Sequence, residues 1–319
     1  MAEPRAQLPG SVNLAVAALA GAVYLGAPLL VTLGPWWAGV LAVAAFAAAT
    51  NTCYALAHEA LHGLFHRRRW LNEGAGILLS ATTPIGFTIQ RAFHLKHHRG
   101  NRGDEECFDL VLPGQSRWQR RVQFYGILTG EFLLHLPVAS LLWLACPWLL
   151  RVGGLRDRRR TMVRQHGAAG FLDALERLPP WRSRLEVLLI IALHAGAWWA
   201  LGVAPLALLA CYAAFAVTWG GMQYAIHAYS PREVRAGAWN LRCPWWLSLV
   251  LCHYPLHRAH HLQPELPWTA LPKAARYTSD DPGLVQQWWR MWRQGPIASS
   301  AQAPQPETDA DDFMARALS

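Results

Sequence analysis

WWAGVLAVAAFAAATNTCYALA, residues 36–57, carries no charged side chain and runs directly into His58-Glu59-Ala60-Leu61-His62. At ~1.5 Å of rise per residue a helix over these positions is ~33 Å long, enough to cross the ~30 Å apolar core of a bilayer. His58 then stands just past one boundary of that core, and His62 follows one turn later on the same helical face. Residues 206–226, LALLACYAAFAVTWGGMQYAI, repeat the arrangement, delivering His227 after ~32 Å of helix. Two apolar helices that each end in a histidine at the same depth predict a shared site at one membrane surface.

The composition agrees with a membrane protein: of 319 residues, 53% are hydrophobic, 15% are charged and 17 are tryptophan. Runs long enough to span lie at 12–33, 36–57, 185–203 and 206–226. The first lacks the charged start and small-residue cleavage site of a signal peptide. Backbone in lipid must satisfy its own hydrogen bonds, so the expected fold is an all-α integral membrane protein with four transmembrane helices in two hairpins. Residues 1–11 read as an N-terminal segment and 12–294 as one membrane domain. The Ala/Gln/Pro/Asp-rich stretch 295–319 reads as a disordered tail. Just before it, Trp288-Trp289-Arg290-Met291-Trp292 has the pattern of an interfacial amphipathic helix.

Arginine sets the orientation. No Lys or Arg occurs between Arg5 and Arg67, or between Arg184 and Arg232, whereas 67–69, 117–121 and 151–164 are rich in arginine. The positive-inside rule places those stretches and both termini in the cytoplasm, in a multi-pass protein of a bacterial inner membrane. The net charge of +9 is accounted for by topology, and no nucleic-acid partner is needed to explain it. Segment 77–89, interrupted by Pro84-Ile85-Gly86, is too short to cross and reads as an excursion that returns to the same side. Segment 124–150 reads as a re-entrant or interfacial helical pair broken at Pro137.

The chemistry lies in three histidine clusters beside these runs: His58 and His62; His94, His97 and His98; His257, His260 and His261. With His227 they make nine of the chain's 14 histidines. Neutral imidazole is the commonest protein metal ligand and suits iron, copper, zinc and nickel. Nine convergent ligands are too many for one ion and fit a pair. His58-Glu59-x-x-His62 alone also fits a zinc protease helix with Glu59 as general base, but a zincin leaves seven clustered histidines unexplained. Glu59 is a candidate to orient a ligand imidazole through its second nitrogen. Asp104, Glu105 and Glu106 are either similar acceptors or a solvated loop. His66 and His253 continue helical ladders by one turn and read as supporting or surface groups. His194, in mid-span, reads as a neutral, hydrogen-bonded imidazole. The six cysteines form no Cys-x-x-Cys pair and read as reduced.

On these residues the chain resembles the integral-membrane fatty acid desaturase superfamily, with its related hydroxylases and carotenoid ketolases, over roughly residues 36–276. The first box resembles His58-Glu-Ala-Leu-His62-Gly63, and the second resembles His94-Leu-Lys-His97-His98, followed by Asn101 and the acidic stretch 104–109. The third, His257-Arg-Ala-His260-His261, runs on into Pro264, Pro267-Trp268 and Leu271-Pro272. Family members commonly carry one more histidine before the third box with an amide one turn earlier, places held here by His227 and Gln223. The usual residue is Asn, so Gln223, expected to hold a metal-bound water, departs from the pattern. The resemblance implies a cytoplasmic di-iron centre held by the nine histidines, O2 as co-substrate and hydrogen abstraction from an unactivated C–H bond of a lipid. With no dinucleotide fingerprint, haem motif or iron–sulfur spacing in the sequence, electrons are expected from a separate ferredoxin- or cytochrome-type protein. The favoured activity is desaturation of an acyl chain. Lipid or carotenoid hydroxylation or ketolation is the alternative, and a zinc protease or a non-catalytic scaffold stands behind both.

Overall fold

A computed structural model describes residues 8–146 and 180–306. The arginine-rich stretch 151–164, His166 and residues 1–7 and 307–319 lie outside the described residues. Helix α1 (Gly10–Leu33) and helix α2 (Trp36–Leu61) form the first hairpin. Its turn is set by Pro35, whose fixed φ suits the residue leading into a helix. Helix α7 (Pro180–Ala200) and helix α8 (Pro205–Ala225) form the second, with Pro205 at the first helical position, where the missing N–H costs nothing. The two turns meet, since the Ala204 N–H donates to Thr32 Oγ1 at 3.1 Å. At the other end of α1, buried Asn13 donates to the Phe65 carbonyl at 2.8 Å and accepts from the Trp268 indole at 2.7 Å. The start of α1 is thereby fixed to the loops that carry the first and third histidine boxes.

Helices α1, α2 and α8 are long and apolar enough to cross a membrane. Helix α7 covers the expected fourth run but falls short of them in apolarity, because Arg182, Arg184 and Glu186 occupy its first two turns. These charges have partners: Arg182 pairs with Glu73 and, at 3.3 Å, with Glu186. Glu186 also accepts from the Thr88 amide at 2.7 Å and its hydroxyl at 2.6 Å. The carboxylate therefore caps, from a distant segment, the helix that begins at Phe87, where the helix dipole favours negative charge. Further along α7, His194 donates from Nδ1 to the Ile190 carbonyl (2.9 Å) and faces the hydroxyls of Tyr24 (3.1 Å) and Tyr212 (3.0 Å) with Nε2. It is hydrogen-bonded on both nitrogens.

Between the hairpins, helices α3 (Arg69–Ala81) and α4 (Phe87–Gly100) reverse the chain through Thr82–Gly86, the excursion the sequence predicts. Helices α5 (Arg117–Leu128) and α6 (Glu131–Ala145) form the second helical pair. The expected break at Pro137 is not there: Pro137 lies inside α6, and the chain turns at Gly130, in the left-handed region at φ 85°. A Cβ at Gly130 would come within 2.6 Å of the Ala216 backbone in α8, so both the turn and the close helix approach require glycine.

The remaining elements, α9 (Trp245–Val250), α10 (His257–Leu262), α11 (Leu271–Ala274) and α12 (Leu284–Gln294), cover the histidine end of the bundle. The tail is ordered further than its composition suggests. Strand β2 (Ile297–Ala298) pairs in parallel with strand β1 (Leu110–Val111), and Ile297 packs on Cys107, Leu110 and Leu112. One apolar residue with a waiting pocket overrides a polar composition.

Candidate metal centre

Four segments bring the nine histidines together. The last turn of α2 supplies His58 and His62; α4 supplies His94, His97 and His98; the turn after α8 supplies His227; and α10 supplies His257, His260 and His261. Their nitrogens form two groups. One contains His58, His62, His94, His98 and His260; the other contains His97, His227, His257 and His261; within each, one ring nitrogen per residue lies within 4.8 Å of all the others. The four-residue spacings of His94 with His98 and of His257 with His261 aim each pair at a common point. Within these helices the alternation also divides them, sending His94, His98 and His260 to one group and His97, His257 and His261 to the other. The groups touch where the His98 and His261 rings stack at 4.3 Å.

Proton counting indicates what these groups can hold. His62 Nε2 faces His94 Nε2 at 2.7 Å, His94 faces His98 at 3.0 Å, and His98 faces His260 at 3.0 Å. A neutral imidazole carries one N–H, so a chain of four facing nitrogens cannot be satisfied by donation alone. His58 Nε2, buried in the same group, has no hydrogen-bond partner. Lone pairs converging on one point suit a cation. In the second group the far nitrogens are fixed: His97 Nδ1 lies 2.6 Å from Glu106 Oε2, and His227 Nδ1 donates to the Gly237 carbonyl at 2.8 Å. Such partners set the tautomer, leaving Nε2 of each with its lone pair free for a metal.

Burial keeps eight of the nine rings neutral, His97 being the one outside this set. Burial, with the Arg91 charge second, pushes His62 down to about 3. Burial and then the neighbouring histidines hold His94, His98, His257, His260 and His261 well below the ordinary imidazole value. For His227 burial leads, followed by His97. Neutral imidazole is the form that binds metal, so no proton needs to be displaced near neutral pH.

The expected supporting residues fall elsewhere. Glu59 touches no imidazole; its carboxylate accepts the Trp268 backbone N–H at 3.0 Å, tying α2 to the loop after the third box. Asp104 pairs with Arg232 at 2.6 Å on the surface. Glu106 is the member of the acidic stretch that reaches a histidine. A buried pair holds it there: Arg102 donates to both oxygens of Asp109 at 2.8 and 2.9 Å, and Asp109 also accepts from Tyr224 and from the Tyr229 amide. His253 bonds Ser248 at 2.8 Å and packs on Trp268, outside both groups. His66 also lies outside, accepting the Arg68 amide at 2.9 Å. Gln223 lies beside the site, but its oxygen is taken by the hydroxyls of Tyr54 (3.1 Å) and Tyr254 (2.8 Å). Neither tyrosine was singled out by the sequence reading, although Tyr54 stands four residues before His58 and Tyr254 three before His257.

Residues 34–294 match the family model described as fatty acid desaturase, and the chain belongs to that family. Among curated proteins the chain has no match. Membership makes it an oxidoreductase of a membrane-bound, lipid-acting family, with a histidine cluster compatible with a di-iron site.

Proposed function

We propose that the protein is an oxygen-dependent di-iron enzyme that introduces a double bond into a fatty acyl chain. The observation that carries this reading is the pair of histidine groups, all imidazole and adjoining each other, at the end of an apolar helical bundle. Two irons bound there would supply the oxidising power to remove two hydrogens from adjacent carbons, with O2 leaving as two waters, two electrons coming from a separate ferredoxin- or cytochrome-type protein and two protons from solvent.

The chain's own residues prepare the site for that chemistry. The nine histidines serve as the ligands, five in one group and four in the other. Glu106 and the Gly237 carbonyl hold the Nδ1 protons of His97 and His227, so that both rings keep a fixed orientation. Ligands without charge leave the metals' own charge uncompensated, which favours an oxidising centre. Six of the nine histidines are buried, and those of α4 are partly open, so water is excluded from most of the site. Four spans in two hairpins, with α7 as the fourth, present this surface on the cytoplasmic side of a bacterial inner membrane. The arginine distribution supports that orientation, as does the attachment of the α1 start to the histidine end through Asn13.

The test is expression in a host lacking the activity, with mass spectrometry of lipids and pigments and metal analysis of the purified protein. A mass loss of two hydrogens and two irons per chain are expected. A gain of oxygen would overturn desaturation in favour of hydroxylation or ketolation. A single zinc, unchanged on replacing His97, His98, His260 and His261, would overturn the di-iron site itself.

A further inference from the structure

Tyr54, Gln223 and Tyr254 each stand one helical turn, or nearly so, ahead of a histidine of the site: His58, His227 and His257. They come from three separate segments, yet converge on one atom, since both phenol hydroxyls donate to Gln223 Oε1, at 3.1 and 2.8 Å. The Tyr254 ring also lies against the imidazoles of His58 (5.2 Å between centroids) and His257 (4.9 Å). Tyr54 meets Tyr254 edge to face at 5.9 Å. The cluster therefore forms a polar shelf directly beneath the histidines on the side of the apolar helices.

We propose that Tyr54 and Tyr254 are positioning residues that lock the Gln223 amide so that it offers the site only its NH2 group. The inference rests on the reading of the histidine groups as a metal centre. A carboxamide oxygen has two lone pairs, and the two phenols engage both. In this orientation one oxygen accepts both phenol protons. With the amide reversed, its NH2 would donate to the phenol oxygens and those protons would have to turn to each other or to Gln90. The shared acceptor is thus the arrangement the two tyrosines favour. Gln223 can then neither ligate a metal through oxygen nor accept a proton from bound water. It contributes two hydrogen-bond donors, suited to an oxygen that gains negative charge. Either phenol alone fixes the amide, so the two bonds are redundant.

Redundancy gives the test a signature that a packing role does not have. Tyr54→Phe and Tyr254→Phe keep the rings and remove one hydroxyl each. Each single variant is expected to lower kcat by about 3-fold and the double variant by about 100-fold, where independent effects would give about 10-fold. KM and iron content should stay at the wild-type level. Gln223→Glu keeps an acceptor for both phenols but replaces the NH2 donors by an oxygen, and should lose activity as the double variant does. The second readout is the Mössbauer spectrum of the iron-loaded proteins: unchanged in the single variants, shifted in the double variant and in Gln223→Glu. Multiplicative effects in the double variant, an unshifted spectrum, or iron loss in the single variants would overturn the proposal. A wild type that loads two irons but makes no desaturated product overturns the function proposed above, and the spectra still decide the role of the tyrosines. A wild type that takes up no iron overturns both.

Discussion

Glu106 offers the sharpest test of the second histidine group. Its carboxylate lies 2.6 Å from His97 Nδ1, with both side chains about a quarter exposed (27% and 23%). Removing the carboxylate partner of a ligating histidine typically weakens metal affinity by about 10–100-fold, or roughly 1.4–2.7 kcal/mol. Glu106→Ala should therefore lose iron to a chelator at correspondingly lower concentration, while Glu106→Gln, which keeps an acceptor oxygen but no charge, should fall between the variant and wild type. Asp104→Asn is the control. Asp104 is 60% exposed and pairs with Arg232, whose side chain is 7% exposed, so its loss acts on that arginine and not on His97. The assay is competition between the detergent-solubilised protein and a chelator series, with iron counted per chain. Wild-type retention in Glu106→Ala, or equal loss in Asp104→Asn, would refute the assignment of Glu106 to His97.

His227, outside every box, is expected to be as necessary as the boxed residues: His227→Ala should lose iron and product together, whereas His66→Ala and His253→Ala should keep both. Asp109→Asn leaves the Arg102 charge buried against half a partner, and breaking such a pair typically costs about 3–5 kcal/mol; thermal unfolding in detergent should show a clear loss of stability, with iron retention falling as the loop that carries Glu106 loosens. Orientation is checked by cysteine labelling with an impermeant reagent, which should reach Cys at Trp199 from outside and Cys at Lys273 only after the membrane is opened.

The helices and the histidine set were legible because each follows from a local rule. Apolar length gives α1, α2 and α8, and three- or four-residue spacing gives the convergence of His58 with His62 and of His94 with His98. The partners of those histidines were not legible, because they are decided by tertiary contacts. Asp104, Glu105 and Glu106 are equivalent as sequence, and only the Arg102–Asp109 pair, anchored to Tyr224 at the end of α8 and to Tyr229 in the turn beyond it, decides which of them meets His97. Glu59 was drawn away by a backbone amide, that of Trp268, which no spacing rule connects to it. The same holds for α7, whose charged first turns are explained by Glu73 and Thr88 on distant helices. The turn at Gly130 was read at Pro137 instead, since proline is the stronger local signal and the close approach to Ala216 is visible only in three dimensions.

The division of the nine histidines between segments would link metal binding to assembly of the bundle. Helices α4 and α10 contribute to both groups, α2 only to the first, and His227, at the end of α8, only to the second. No segment carries a complete group, and neither hairpin can form its group without α4 and α10. A metal that binds only this assembled arrangement stabilises it by mass action, in proportion to the logarithm of free metal over its dissociation constant. The first hairpin is also tied to the second at its far end through Thr32 and Ala204, and further along the helices through Tyr24, His194 and Tyr212. Those contacts hold the helices together without metal, and at the histidine end a bound metal would add to the ties made by Asn13, Glu59 and Gln223. Removal of metal should therefore loosen α4, α10 and the turn at His227 as one unit, exposing their amides to hydrogen exchange, while α1 and α2 keep their protection.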